Sequence, residues 1–507
     1  METTSLPSGK TRILLRSSTS HPEFHSLVWS RVFNARQDHT VLPFAYSQPL
    51  TVSDIVAAVN LAKSHSRRIS IRSGGHSWAA WSVRHEAVLI DLVDLDKSLP
   101  GGRIQYNQSS QIVSCPPSTT GEELNNFLAE RGRFFPSGHC PDVGLGGFLL
   151  QGGMGWNCKS WGWACELLTS LDVVTASGDH LRHVSSTFHS DLFWAARGSG
   201  PGFPAIVTRF HLKTLPLPEL FQSLYFFPIT NFKQVLQWVI DISPTTPSTE
   251  IVLVTSHFPS PSNPESSSSP STPTILANFL TFCSPSFPSE EEEEEEEEAN
   301  SILTRVHQSL PPSLSSPSVV LPQSRINFST TLSEQYASQR LANPKGHFYR
   351  SDNIYLPSPN PPSTSHLEKI FTNLPTKKSS ALWFFMNPTS RRELKDMALS
   401  KQTDHYVALY AVWSGRNVEA RGTSGDDDGV EIEDAETKCD EWIRELAASQ
   451  ENEGSYLGDA DFRFRDYDSL KKFWGEGVKE RLEGVRQKWD REGRVCGFLR
   501  GFESEPN

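Results

Sequence analysis

Two short stretches hold the residues best suited to covalent chemistry. The first runs from Gly138 to Gly155 and reads GHCPDVGLGGFLLQGGMG; seven of its eighteen residues are glycine. Val143, Leu145, Phe148, Leu149 and Leu150 are interleaved with them. Glycine lets backbone approach a flat or charged ligand closely, and successive N–H groups can point at it. Gly138, Gly144, Gly146, Gly147, Gly152, Gly153 and Gly155 therefore form a candidate cofactor platform, with His139 and Val143 inside it. Pro141 suits the first position of a helix, which would set Cys140 at a helix N-terminus, where the dipole favours a thiolate. The alternative is a tight glycine-packed turn with a buried cysteine. The second stretch, Ser73-Gly74-Gly75-His76-Ser77, follows a strand predicted over 68–72. Its N–H groups and two hydroxyls suit a pyrophosphate, and His76 adds an imidazole at the same place.

Other chemistries lack their patterns. Gly144-Leu-Gly146 and Gly153-Met-Gly155 both miss the third glycine of a dinucleotide fingerprint. His139, Cys140, Cys158 and Cys165 do not have the close-paired spacing of a zinc site, and no metal is expected. Neither a nucleophile elbow nor a P-loop is present.

Composition narrows the class. The chain has 507 residues, 37% of them hydrophobic, enough for more than one core. Its net charge of −12 owes much to one run of nine glutamates, Glu290–Glu298; without it 47 basic residues face 50 acidic ones. A near-neutral body gives no footprint for nucleic acid. Seven irregularly spaced cysteines argue against a disulfide framework. The N-terminus lacks the apolar core of a secretory signal, and no apolar run reaches membrane-spanning length. A cytoplasmic location is the expectation.

The nucleophiles need elements to hold them. Residues 1–20 read as loose, and 41–45 as a short strand. Thr51 or Ser53 can cap a helix carrying Ile55, Val56, Val59 and Leu61. Further strands are expected over 88–92, 112–115, 168–175 and 206–213, with a helix capped by Thr119 or Thr120 between the second and third. From residue 216 the text changes. A helix is expected over 232–242, aromatic-rich strands over 381–387 and 405–413, and helices over 434–449 and 468–490. Asp426–Asp428 reads as an acidic loop. Residues 258–320, rich in Ser, Pro and Glu, read as a disordered insert.

Four segments carry a family resemblance: 72–77, 135–147, 152–155 and 191–198. They resemble the FAD-linked oxidases of the berberine bridge enzyme type, in the vanillyl-alcohol oxidase superfamily. The likeness covers roughly 33–215 and resumes weakly at Tyr456-Leu-Gly-Asp-Ala-Asp461 and Phe473-Trp-Gly-Glu476. It implies an α+β fold with a PCMH-type FAD-binding domain and an antiparallel-sheet substrate domain roofed by helices. The implied divisions are an extension over 1–32, the FAD domain over 33–215, the substrate domain over 216–455, and a return to the FAD domain over 456–507. It also implies FAD bonded through His76 and, in bicovalent members, through Cys140. Arg72 and Val207 join the glycine segments as implied cofactor-binding residues. The activity implied is hydride removal from a small organic substrate, with oxygen as acceptor. A dehydrogenase using another acceptor, or an impaired flavin carrier, are the alternatives. The family's catalytic glutamate aligns with Ala408, and Phe148 and Gln151 are further departures. On alternation Tyr406 and Tyr410 share the face of Ala408 and are the candidate catalytic residues, as base or as orienters of a hydroxyl, or else they pack there.

Overall fold

Thr51 opens the first long helix. Its side chain accepts from Asp54 N at 3.3 Å, and Asp54 Oδ2 accepts from Thr51 N at 3.0 Å, a reciprocal cap that starts Val52–Ser64. Ile55, Ala58 and Val59 are buried in one core with residues of the strands Ile69–Arg72 and Val88–Asp91, which pair in parallel. Ala45–Ser47 lies parallel on the other side of Val88–Asp91, and Arg12–Leu15, in the stretch read as loose, pairs antiparallel with it. The strand expected over 41–45 thus starts only at Ala45, beyond Pro43, which has no N–H for a ladder. At the opposite edge Ile69 bridges Val495 in parallel, and Cys496 N donates to Ile69 O at 2.8 Å. A second sheet pairs Leu168–Thr175, Ala205–Lys213 and Ile112–Cys115 antiparallel around a core that includes Val113, Leu171, Val173 and Phe210. This computed structural model describes residues 4–5, 12–38, 40–258, 272–283, 301–358, 365–414, 432–449, 452–461 and 472–497.

The third sheet is antiparallel and seven-stranded. Its order is Arg325–Thr330, Glu219–Pro228, Thr274–Cys283, Thr249–Ser256, Ser380–Phe385, His405–Trp413 and Phe348–Leu356. One face is roofed by the helices Phe232–Ile242, Ser365–Thr372 and Ile432–Ala447, in one core with Val407, Leu409 and Ala411. Because side chains alternate, Tyr406, Ala408 and Tyr410 point to the other face, toward the glycine segments.

The expected insert is only partly irregular. Thr274–Cys283 forms a ten-residue strand between two others, with Ile275, Ala277 and Phe279 buried under the helices. Residues 301–308 are helical, and Leu303, Val306, Leu310 and Leu314 join the same core. Apolar alternation and burial override composition there. Residues 259–271 and 284–300, with the glutamate run, lie outside the described residues, as do Asp426–Asp428 and 468–471. Among the described residues all seven cysteines are free thiols, and no helix is long and apolar enough to cross a membrane.

Candidate active site

The two glycine segments meet backbone to backbone. A Cβ at Gly74 would lie 2.5 Å from Gly144 N, and one at Gly144 would lie 2.7 Å from Gly74 N. Gly146 is closed by the Ser73 side chain, Gly153 by Ala164 and the Phe148 ring, and Gly155 by Pro136 O. A Cβ at Gly152 would meet Leu399, and one at Gly138 would lie 3.5 Å from the Phe148 ring. On the side where a Cβ would stand, these glycines let protein approach protein. Gly147 is the exception: it is exposed, with nothing within 4 Å of a Cβ built on it. Gly75 has φ +81°, and a Cβ there would lie 2.0 Å from Arg31 O, so the turn into His76 requires glycine.

Three sequence candidates have partners within the protein. Arg72 is fully buried, pairs with Asp91 at 2.7 Å and donates to Leu27 O and Val28 O. Burial raises the Asp91 carboxyl, but Arg72 and Arg31 outweigh it and hold the group low. Val207 lies in the hydrophobic core. Ser77 Oγ accepts from Trp81 N at 3.3 Å and holds a turn.

His76 does reach the site. Its Nε2 lies 3.3 Å from Asp142 Oδ1, and its ring stacks on Phe33 with centroids 4.5 Å apart. Asp142 Oδ2 also meets Lys345 Nζ at 2.6 Å.

Cys140 lies in a bend, not at a helix N-terminus; the helix Leu145–Leu150 begins only after Gly144. Pro141 enters a turn instead. The expected dipole help for a thiolate is absent, and burial, then Asp142 and Asp459, push the thiol up to about 12.

Beside Cys140 stands an aromatic wall. Trp78 lies edge-on to Tyr410 at 5.5 Å and to Phe33 at 5.9 Å, and 5.2 Å from Tyr349. Behind it is a carboxylate that the sequence reading passed over. Asp459 Oδ2 accepts from Tyr406 Oη at 2.5 Å, Oδ1 accepts from Trp78 Nε1 at 3.4 Å, and Tyr410 bonds to it as well. Burial raises the Asp459 carboxyl above the usual range, and these three donors offset it only in part. Burial, then Asp459, also holds the Tyr406 and Tyr410 phenols well above their ordinary range. In this setting both phenols are donors toward Asp459. The available signal was Tyr456-Leu-Gly-Asp-Ala-Asp461, a motif singled out for its resemblance and not for its chemistry.

Cys140, Tyr410 and Asp459 combine two properties. Each lies deep enough for burial to dominate its ionisation, yet each keeps part of its surface open. Asp459 acts on both Cys140 and Tyr410, so the three stand together. Next to Cys140 in the chain, His139 Nε2 meets Glu250 Oε1 at 3.1 Å, and Glu250 Oε2 accepts from Asn157 N at 2.6 Å. Glu250 is on the Thr249–Ser256 strand, so this pair joins the glycine segment to the large sheet. Among the described residues one group could hold a metal: Asp172, His183 and His211, on the second sheet. There Asp172 Oδ1 already accepts from His183 N at 2.8 Å and lies 3.3 Å from His211 Nε2.

Known proteins extend these findings. The family described as "FAD binding domain" matches residues 43–183. FAD-linked oxidoreductase janO of Penicillium janthinellum is 34% identical over 496 residues, covering 96% of this chain and 97% of its own. A xylooligosaccharide oxidase of Thermothelomyces thermophilus is 36% identical over 207 residues, 40% of each chain. Among solved structures, BBE-like 1 of Physcomitrella patens superposes with a TM-score of 0.72 at 16% identity, covering 97% of this chain and 98% of its own. This chain accordingly belongs to the FAD-linked oxidoreductases, an FAD-dependent enzyme built on the two-domain PCMH-type fold.

Proposed function

We propose that the protein oxidises a small organic substrate by hydride transfer, with FAD bonded through both His76 and Cys140 and oxygen as the final acceptor. The observation that carries this reading is the cluster of Cys140, Tyr410 and Asp459, which act on one another, with His76 joined to the Cys140 segment through Asp142. The residues suit the cofactor. Two nucleophilic side chains stand in adjoining backbone segments, and Gly147 leaves open space. FAD, when bound, supplies the two-electron acceptor.

The chain's own residues then have distinct tasks. Tyr406, fully buried, holds Asp459 in place; Tyr410, half-buried with its O–H on Asp459, accepts from a substrate hydroxyl or amine at its oxygen, and Asp459 takes the proton through that phenol. Phe33, Trp78, Tyr349 and Tyr410 favour a ring-containing, largely apolar substrate with few charges. Residues 33–215 and 456–507 form the FAD half in this reading, and 216–455 the substrate half.

The test is anaerobic mixing with a panel of ring alcohols, sugars and amines. Bleaching of the flavin by at least one, with recovery and peroxide release on admitting air, is the expected result. Bleaching without recovery in air would favour a different acceptor. No bleaching across the panel would count against the substrate class.

A further inference from the structure

Asp142 takes no part in the steps above, yet its two oxygens have separate and specific partners. Oδ1 lies 3.3 Å from His76 Nε2, and Oδ2 lies 2.6 Å from Lys345 Nζ. Lys345 arrives from the far side, in the connection between the helix Leu332–Ala342 and the strand Phe348–Leu356. Phe33 stacks on the imidazole at 4.5 Å, and Phe33 N donates to Gly75 O at 3.0 Å. The ring is thereby clamped on one face and held at one nitrogen. No partner for Nδ1 is found among the described residues. Burial raises the Asp142 carboxyl, but His76 and Lys345 outweigh it and hold the group well below the usual carboxylate range. It is therefore an acceptor at any ordinary pH.

An imidazole that gives its Nε2–H to a carboxylate has its lone pair on Nδ1. We propose that Asp142 is a positioning residue for covalent cofactor attachment: it fixes His76 in the tautomer whose Nδ1 is the nucleophile, and it receives the Nε2 proton as the bond forms. This rests on the reading that His76 bonds to the flavin. The step balances as follows. The N–C bond forms between Nδ1 and the cofactor's 8α-methyl carbon, which gives up one C–H proton. Nε2–H gives a second proton to Asp142. The two electrons of the broken C–H bond reside on the ring system until oxygen takes them, with two protons, as hydrogen peroxide. Lys345 contributes by holding the second carboxylate oxygen, so that Oδ1 stays aimed at Nε2.

The test uses full-length protein with Cys140→Ala, so that His76 is the one remaining link. Protein produced with limiting flavin is incubated with FAD in air, and acid-stable flavin and the mass of the His76 peptide are followed with time. Adding Asp142→Ala should slow attachment about 10–100-fold, the usual cost of losing a carboxylate behind a working imidazole. Asp142→Glu should restore most of the rate, and Lys345→Met should slow it less than Asp142→Ala does. Reversible FAD binding, read by fluorescence quenching, should be unchanged in all three, which separates attachment from folding. If Asp142→Ala does not fold, Asp142→Asn replaces it, keeping the shape but not the proton acceptance. Attachment at the parent rate in Asp142→Ala or Asp142→Asn would overturn the inference. Complete release of flavin in acid by the Cys140→Ala parent would instead overturn the reading that His76 bonds to the cofactor, and the inference with it.

Discussion

The glycine segments and the seven-stranded sheet build the same site by opposite means. In the glycine segments the active groups stand in contiguous runs, and the surrounding residues serve one close backbone approach, Gly74 against Gly144. On the sheet nothing contiguous matters. Tyr406 and Tyr410 owe their position to strand alternation, and Asp459, which organises them, comes from a separate segment. Chemistry held by backbone contact cannot tolerate a change of size. Chemistry held by a sheet face can change residue by residue.

The largest effect should come from the backbone contact. Gly74→Val or Gly144→Val places a Cβ within 2.7 Å of opposing backbone, so one segment must move. Flavin content should fall to near zero, with a loss of about 3 kcal/mol or more in denaturant unfolding. Normal flavin content in either variant would break the contrast drawn above.

Asp459→Asn comes next. Flavin reduction by an accepted substrate should slow about 100-fold or more, with the oxidised flavin spectrum unchanged. A separate check needs no substrate. The Asp459 carboxyl is raised in the folded protein, so it keeps a proton that the unfolded chain has lost above about pH 4. The unmodified protein should therefore lose stability relative to Asp459→Asn as pH rises from there through the folded value. A difference in thermal midpoint that stays constant from acid to neutral pH would argue against a raised carboxyl.

Smaller again is Leu303→Ala, in the stretch read from composition as disordered. Leu303 is fully buried under the large sheet, so the expected cost is about 2–5 kcal/mol without loss of bound flavin. A cost near zero would return 301–320 to the insert. Deleting Glu290–Glu298 should do least. A run of like charges cannot build a core, and the midpoint and flavin content should both be unchanged. A fall in either would give the run a structural role.

What the sequence revealed follows the same division. The reciprocal cap at Thr51, the helix Phe232–Ile242 and the strand His405–Trp413 were legible because local period and capping chemistry sufficed. His76 and Cys140 were legible because their neighbours are contiguous. The setting of Cys140 was not, since Pro141 serves a turn as readily as a helix start. Thr274–Cys283 was hidden by Ser/Pro-rich flanks although its own alternation was present. The engagement of Arg72 depends on Asp91, and the role of Asp459 on Trp78 and Tyr406. Partners that distant in sequence leave no local pattern.

The strand that leads to His76 is edged by the far end of the chain, through the bridge from Ile69 to Val495. During synthesis both nucleophiles leave the ribosome long before that edge exists. At about 5–20 residues per second the interval is on the order of tens of seconds. Through that time the strand Ile69–Arg72 carries an unpaired edge, which invites wrong partners. The whole seven-stranded sheet is made in the same interval. Cofactor attachment therefore belongs to completed chains, and a stalled or truncated one should carry no bound flavin.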